Sequence, residues 1–414
     1  MTATGNQHLY DQRMQRFMDN VALKQSDRVP YILISSFFAR KMTGITCKDM
    51  MYDIDKSLDA TRRMVDLLEP DVLSLFFFTM GQAMQDMGYR QMKWPGDGKL
   101  DDDVTFQYLD QEYMSADEYD EYLFDPTGFT IRKYMPRLAG AFEGLAALPD
   151  FASLIEFMNI FGMVGFANPK LQESLRILSK VGADMATIFG KVGGFVGEMA
   201  GAGYPFVGGG FTKNPFDHIV DGMRGSKGGM LDMFRHKDKL MAAVDKAGTL
   251  ILRGVVESCQ MNHSPFVFLP MHWGLDGFMS LQQFKTFYWP PLRKNLLWLI
   301  ERDLIPIVLW EGKCDSRLET IGDIPRGKAI YWFEQTDIFR AKDVLGDTVC
   351  LRGNVPASML CTGTPDDVDE YCKKLITKVG KGGGFILDGA LGVPDEAKVE
   401  NVVAMAKSVK KYAP

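Results

Sequence analysis

The chain has 414 residues, of which 46% are hydrophobic and 24% charged, a composition typical of a globular protein with a substantial core. No stretch reaches the ~20 consecutive apolar residues that a membrane helix needs, and a net charge of -6 argues against a general nucleic-acid surface. The N-terminus has no apolar export signal, so we expect a cytoplasmic location. In that reducing compartment the six cysteines, which lack disulfide-framework spacing, should be thiols or ligands.

The first half of the chain predicts few strands. A leading helix is expected over about residues 8–22, then a buried strand in RVPYILISSFF, an amphipathic helix in IDKSLDATRRMVDLLEP and a strand in DVLSLFFF. Residues 99–150 are acidic and aromatic and carry no strand signal, and residues 151–200 look helical. Together they predict an insertion of helices and loops around 99–200.

From residue 204 onward strands and helices alternate regularly, starting at YPFVGGG and ending with the strand GGFILDG and a last helix. Strict alternation predicts a parallel sheet, and about eight such units predict a closed barrel. We therefore expect one (β/α)8 TIM-barrel domain over residues 1–414. In such barrels the chemistry lies at the C-terminal ends of the strands, so polar residues that end a strand are the candidates.

Two of those residues should meet at the barrel mouth. His272 follows the apolar run FVFLPM, and Glu311 follows IPIVLW on the next strand. A neutral imidazole beside a carboxylate can bind a metal ion or act as an acid/base pair. The alternative is that His272 is a core histidine hydrogen-bonded to Glu311. Cys314, three residues later, offers a soft ligand for zinc.

Aromatic residues crowd the same predicted mouth. Phe37 and Phe78 lie near the ends of the first two strands, and Trp273 and Trp310 stand beside the two polar candidates. Several aromatic side chains at strand ends would line an apolar, water-poor cavity. We therefore predict these four residues as substrate contacts for a small methylated or aromatic compound.

Several longer segments resemble one superfamily: GGMLDMFRHKDKLMAAV, MSLQQFKTFYWPPLRKNLLWLIERDLIPIVLW, LRGNVPASMLCTGTPDDVDEYCKKLI and GGGFILDGALGVP. Together with RVPYILIS they resemble the uroporphyrinogen decarboxylases and cobalamin-dependent methyltransferases, across nearly the whole chain and most specifically after residue 220. The resemblance implies a (β/α)8 barrel, in agreement with the alternation, and it also implies a homodimer.

Within that superfamily the decarboxylases carry an arginine-rich stretch after the first strand and an aspartate after the second. The corresponding segments here read SSFFARK, with Arg40 alone, and LFFFTMG, with no aspartate. A tetrapyrrole with several carboxylates would lack its clamps. The resemblance therefore points to the methyltransferase branch.

That branch usually binds zinc through a His-x-Cys at one strand end and a further Cys near the last strand. The matching positions here are Trp310, Gly312 and Leu391. All three usual ligands are absent. We therefore expect a zinc site rebuilt from nearby polar residues, namely His272 and Glu311 with Asp388, Cys314 or water.

The resemblance implies a corrinoid-dependent methyltransferase that moves a methyl group from an O-, N-, S-methyl or halomethyl substrate to the cobalt of a partner corrinoid protein. By position, Glu334 or Asp337 would donate a proton to the leaving atom, and Arg352 or Asn354 would orient the substrate. One alternative is a lyase acting on another carboxylic acid, with His272 as the proton donor. A second is a non-catalytic barrel that binds a small ligand or a corrinoid protein.

Overall fold

The computed structural model describes residues 3–151 and 156–413. Its strands are β1 Ile32–Leu33, β2 Val72–Leu73, β3 Met92–Lys93, β4 Gln107–Tyr108, β5 Gly210–Phe211, β6 Phe266–Met271, β7 Ile305–Trp310, β8 Ile330–Phe333, β9 Cys350–Val355 and β10 Phe385–Gly389.

Its α-helices are α1 Ala3–Val21, α2 Cys47–Tyr52, α3 Ile54–Leu68, α4 Gly81–Met87, α5 Tyr119–Phe124, α6 Pro126–Phe129, α7 Met135–Leu138, α8 Pro169–Gly201, α9 Pro215–Ile219, α10 Gly225–Arg235, α11 Lys237–Leu250, α12 Val255–Met261, α13 Leu281–Gln283, α14 Trp289–Ile300, α15 Leu318–Ile321, α16 Ile338–Leu345, α17 Ala357–Thr362, α18 Pro365–Lys374 and α19 Val399–Lys411. Short 3-10 turns cover Phe38–Met42, Ala116–Glu118, Gly140–Ala147, Phe157–Ala167 and Asp315–Arg317, and π-helical turns cover Thr130–Tyr134, Val220–Arg224, Phe284–Tyr288 and Leu375–Val379.

Parallel pairing runs around the molecule and returns to its start. Six strands form one parallel sheet in the order β10, β9, β8, β7, β6, β5. Strand β1 pairs with β2, a bridge from Tyr31 to Leu387 joins β1 to β10, and a bridge from Leu73 to Phe206 joins β2 to the segment that leads into β5. Within the described ranges, eight parallel strands therefore follow one another in a ring, in agreement with the predicted (β/α)8 barrel.

Side chains from every strand of the ring fill its interior. The lowest layer is a cluster of buried residues, one from each strand segment: Ile32, Val72, Val207, Phe266, Ile307, Ile330, Cys350 and Ile386. Phe17 and Val21 of α1 pack against this layer, so the predicted leading helix closes the bottom of the ring. Two residues further along the strands, Ile34, Leu309 and Trp332 form the next layer, because successive side chains on a strand point to opposite faces.

Ion pairs at Arg16, one of them buried, hold α1 in this position. Arg16 contacts Asp71 and Asp27, each at 2.6 Å, and Arg28 contacts Asp71 at 2.6 Å. Asp71 also accepts the backbone N–H of Tyr31 at 2.8 Å. Four donors therefore converge on two carboxylates beneath β1 and β2, which compensates the burial of Asp71.

The predicted insertion lies between β2 and β5 and is largely helical, with the 33-residue helix α8 as its longest element. The expectation that residues 99–150 contain no strand is wrong, because β4 pairs antiparallel with β3, with Met92 opposite Tyr108. Part of the segment predicted as helical, residues 152–155, lies outside the described residues.

None of the described helices combines the length and the hydropathy that crossing a lipid bilayer requires.

Candidate active site at the barrel mouth

The site is built on the ends of β6 and β7. These strands pair in register with Met271 opposite Trp310, so the residues that follow them, His272 and Glu311, stand side by side. The structure places His272 Nε2 3.6 Å from Glu311 Oε1, at the place where the strand ends predict the pair. Both side chains are partly exposed to the mouth.

Two further carboxylates come from the segment after β5. Asp217 on α9 and Asp221 on the following π-helical turn lie one helical turn apart, so both face the ring. Asp221 Oδ2 lies 2.6 Å from His272 Nδ1. Asp217 Oδ2 accepts the backbone N–H of His272 at 2.8 Å and the hydroxyl of Tyr288 at 2.6 Å. The imidazole is therefore held between Asp221 and Glu311, while Asp217 fixes its backbone.

These contacts set the charge of the imidazole. Burial opposes protonation, but the hydrogen bonds to Asp221 and Glu311 and the charge of Asp217 outweigh it and raise the pKa of His272 to about 10. Burial and the neighbouring charge of Asp221 raise the pKa of Asp217 above its usual range. At neutral pH the geometry therefore favours an imidazolium that holds a proton on each ring nitrogen.

A cavity of about 750 Å³ opens in front of this group. Seven of its lining side chains are aromatic: Phe37, Phe76, Phe78, Phe106, Phe211, Phe268 and Trp332. A second cavity of about 430 Å³ adjoins it and is lined by Tyr108, Trp273 and Phe278, among others. Lys213, His272 and Glu311 line both cavities, so the polar group stands at their boundary.

Three of the four predicted substrate contacts lie at these cavities. Phe37 and Phe78 are stacked with ring centroids 5.7 Å apart on the wall of the larger one. Trp273 lines the smaller one, where its indole N–H donates to Asp221. Trp310 is different: its side chain is 0% exposed and packs outside the ring against Phe284 and Tyr331. The prediction for Trp310 is wrong because strand alternation turns it away from the face that Glu311 occupies.

Two of the predicted zinc ligands, Cys314 and Asp388, do not join His272 and Glu311. Cys314 is buried in the turn after β7, and its thiol lies 3.0 Å from Thr336 Oγ1. Burial raises the pKa of this thiol far above its usual range, which disfavours the thiolate that zinc needs. The thiol therefore faces Thr336 within the protein and not the pair formed by His272 and Glu311.

Asp388 lies inside the ring below the mouth. It accepts a hydrogen bond from Arg352 Nε at 2.8 Å, and the guanidinium of Arg352 stacks on Trp332 at 3.8 Å from the ring centroid. Burial raises the pKa of Asp388 to about 6 although Arg352 opposes this shift. Among the described residues, no group of three or more His, Cys, Asp or Glu side chains is arranged to hold a metal ion. The residues present therefore do not fit the predicted zinc site.

The four residues predicted to act on the substrate also lie elsewhere. Glu334, Asp337 and Asn354 line a separate cavity of about 520 Å³ at the ends of β8 and β9. Asp337 caps α16 by accepting the backbone N–H groups of Phe339 and Arg340, and the amide of Asn354 donates to the Thr336 carbonyl at 3.0 Å. Arg352 is buried against Asp388, as described above. None of the four lines the cavities at His272, so their predicted roles are not supported.

Sequence reasoning missed Asp217, Asp221 and Lys213. A signal for the two carboxylates is present in PFDHIVDG, where two aspartates four residues apart follow a strand end. The signal for Lys213 is weaker, since it is one lysine in the loop after β5. In the structure Lys213 pairs with Asp221 at 3.0 Å.

Comparison with known proteins identifies relatives of this chain. The family model described as uroporphyrinogen decarboxylase (URO-D) matches residues 205–412, half of the chain. A uroporphyrinogen decarboxylase of Methylococcus capsulatus is 32% identical over 122 residues, which is 29% of this chain and 34% of that protein. Another, of Saccharophagus degradans, is 27% identical over 141 residues, or 33% of this chain and 38% of that protein. The matches therefore span about a third of the length of these relatives.

A solved structure agrees over a wider range. A methyltransferase from Methanosarcina mazei superposes on 97% of this chain and 99% of its own, with a TM-score of 0.61 and 14% sequence identity. At 14% identity this likeness concerns the fold alone. It includes the first half of the chain, which the family model does not match. From the family match and the fold together, the chain belongs to the uroporphyrinogen decarboxylase (URO-D) family.

Proposed function

We propose that this chain is a methyltransferase that moves a methyl group from a small methylated substrate to the cobalt of a corrinoid carried by a partner protein. The observation that carries the proposal is the imidazole of His272, held between Asp221 and Glu311 at the edge of an aromatic cavity. A methylated oxygen or nitrogen leaves poorly as an anion, and a positioned proton donor lowers that barrier.

The residues of this chain would bind the substrate and manage the proton. The aromatic walls hold an apolar substrate and keep water away from the methyl group. As the bond between carbon and heteroatom breaks, the heteroatom takes the proton held at His272 Nε2. Asp221 keeps its hydrogen bond to Nδ1 of His272 and so keeps the ring oriented. A reduced corrinoid, when docked, supplies the acceptor for the methyl group.

The rim of the mouth fits an apolar partner surface. Phe211, Phe278 and Leu391 line the two cavities but remain 55%, 43% and 47% exposed. Large apolar side chains exposed around an opening are typical of a docking surface. This supports a mouth that the broad face of a corrin and its carrier protein would cover.

The scarcity of positively charged side chains at the cavities favours methyl transfer over the decarboxylation of uroporphyrinogen, the reaction for which the family is named. Among the described residues that line them, Lys213 is the only lysine or arginine, and it is already paired with Asp221. Several carboxylates of a tetrapyrrole would be buried there without partners, which is costly. We therefore do not assign uroporphyrinogen as the substrate.

Lys213 supports one alternative function, the decarboxylation of a small acid. Its ammonium could bind a single carboxylate, and the proton on His272 could then quench the carbanion left by loss of carbon dioxide. The chain would in that case be a lyase for a small apolar acid.

Methyl transfer to free cob(I)alamin tests the proposal. The protein is mixed with reduced cobalamin and methyl ethers, methylamines and thioethers, and the methylcobalamin absorption band is recorded. We expect one substrate class to give the band with the wild-type protein and not with His272→Gln. If every class fails while a small aromatic acid releases carbon dioxide, the lyase is the correct assignment.

A further inference from the structure

We infer that the mouth cavity contains a second polar subsite, formed by Ser35, Ser36 and Asp395, which binds a hydrogen-bond donor on the substrate at the end away from the methyl group. All three residues line the same cavity as His272 and Glu311. The inference deepens the proposed function, on which it rests for the orientation of the substrate.

The two polar groups face each other across the ring. Ser35 and Ser36 follow β1, the proposed proton donor His272 follows β6, and its neighbour Glu311 follows β7. In the ring of eight strands, β7 is the fourth strand from β1 in either direction, and β6 is the third by way of β2 and β5. The subsite and the proton donor are therefore at opposite sides of the mouth, with the aromatic walls between them.

Ser35 is a buried hydroxyl that lacks a partner. Its side chain is 5% exposed and lines the cavity, and no described residue forms a hydrogen bond with its Oγ. Burying a hydroxyl without a partner is unfavourable, so native proteins rarely keep one. The oxygen is itself buried, so a polar group of a bound substrate would supply the missing partner once the Ser35 side chain rotates toward the cavity.

Asp395 determines what kind of polar group can bind. It accepts hydrogen bonds from Ser36 Oγ at 3.1 Å and from the backbone N–H of Phe37 at 2.9 Å, both at Oδ1. An ionised carboxylate accepts about four hydrogen bonds and donates none, so acceptor capacity remains. The complementary ligand group is a donor, either a hydroxyl or an amine, and a second carboxylate would be repelled.

The walls between the two ends determine the shape of the substrate. Phe78 stacks on Phe37 and meets the edge of Phe106 with centroids 4.9 Å apart. Stacked and edge-on aromatic side chains pack best against a flat ring. The substrate class is therefore an aromatic ring that carries the methylated heteroatom at the His272 end and a hydroxyl or amine at the Asp395 end.

Binding to the protein alone, without corrinoid, tests the subsite. Calorimetry would compare 4-methoxyphenol and 4-methoxyaniline, which carry a donor, with methoxybenzene and 4-methoxybenzoate, which do not. We expect the better donor compound to bind about tenfold or more tightly than methoxybenzene, since a hydrogen bond to a charged group contributes that much. The benzoate should bind most weakly, and the two donors show whether hydroxyl or amine is preferred.

Variants assign the effect to the subsite. Ser35→Ala and Asp395→Asn should each lower the ratio of donor to methoxybenzene affinity, since the first removes one polar partner and the second removes the charge of the acceptor, while methoxybenzene itself binds as before. Thr105→Val, which removes another hydroxyl from the same cavity, serves as the matched control and should keep the ratio. Ser35→Ala should melt at the same temperature or higher, because the hydroxyl it removes has no partner, so it remains informative if Asp395→Asn fails to fold.

The inference is wrong if the four compounds bind equally, if none binds, or if both variants keep the ratio. Its failure is distinct from failure of the proposed function. A chain that binds donor rings but transfers no methyl group to cobalamin retains the subsite and loses the function. A chain that demethylates methoxybenzene as well as 4-methoxyphenol retains the function and loses the subsite.

Discussion

The two halves of the molecule make different contributions to the mouth. From residue 205 onward the strands β5 to β10 form one continuous sheet, and this is the half that the family model matches. The first half contributes two short strands and a long insertion. The proton donor and the carboxylates around it come from the second half, whereas Phe37, Phe76, Phe78 and Phe106 come from the first. Under the proposed function, the half that carries the family pattern would carry the chemistry, and the other half supplies four of the seven aromatic side chains that line the larger cavity.

The largest effect should come from the second half. His272→Gln keeps a side chain of similar size but removes the ionisable ring, so we expect methyl transfer to fall by about 100- to 10,000-fold, the usual contribution of a general acid. Substrate affinity should change little, because the aromatic walls remain. Initial rates of methylcobalamin formation and substrate titrations measure the two quantities. A rate within tenfold of the wild type would remove His272 from the chemistry.

The raised pKa of His272 also makes stability depend on pH. The imidazolium is charged in the fold up to about pH 10, against an ordinary pKa of 6.5. Its stabilising contribution is therefore complete below about pH 6.5 and is lost as the pH rises through about 10. We expect the difference in unfolding free energy between wild type and His272→Gln to shrink over that range in denaturant titrations.

A smaller effect should come from the first half. Phe78→Leu removes a stacked ring from the wall without touching the proton donor. We expect KM for an aromatic substrate to rise about two- to tenfold, the value of an aromatic pair, while kcat stays the same. Steady-state kinetics separate the two constants. A fall in kcat with unchanged KM would mean that the first half takes part in the chemistry and not only in selection.

The smallest effect should follow metal removal. Since Cys314 and Asp388 lie apart from His272 and Glu311, prolonged treatment with a strong chelator should leave methyl transfer unchanged. Metal analysis of the purified protein should give well below one zinc ion per chain. A structural or catalytic zinc site that was filled would give one zinc ion per chain. Loss of activity on chelation and its return with zinc would contradict the separation of Cys314 and Asp388 from His272.

The sequence predicts the ring and the central pair because both follow from short-range patterns. Alternation of strands and helices places all strand ends at one mouth, and adjacent strands bring their terminal residues together, as His272 and Glu311 do. Trp310 precedes Glu311, and because successive side chains along a strand point to opposite faces, Trp310 packs outside the ring while Glu311 faces the mouth.

The depth of a residue within the ring explains why Arg352 and Asp388 do not lie at the mouth. Arg352 and Asp388 point inward as expected, but they lie within their strands and not past the ends, so they form a buried pair beside Trp332. Asp217 and Asp221 lie on helical segments, where a pair of carboxylates usually faces solvent, so their spacing in PFDHIVDG does not by itself predict which way they face. The packing of α9 against the ring turns them inward, and both are buried.

The closed bottom of the ring constrains the order of events during turnover. Because Phe17 and Val21 of α1 seal the lower layer, substrate and demethylated product must pass through the same mouth that the corrinoid carrier would cover. A carrier that binds too early would shut the substrate out, and one that stays too long would trap the product. Under the proposed function, turnover would therefore require the carrier to dissociate in every cycle, and an excess of it should inhibit the reaction at low substrate concentration.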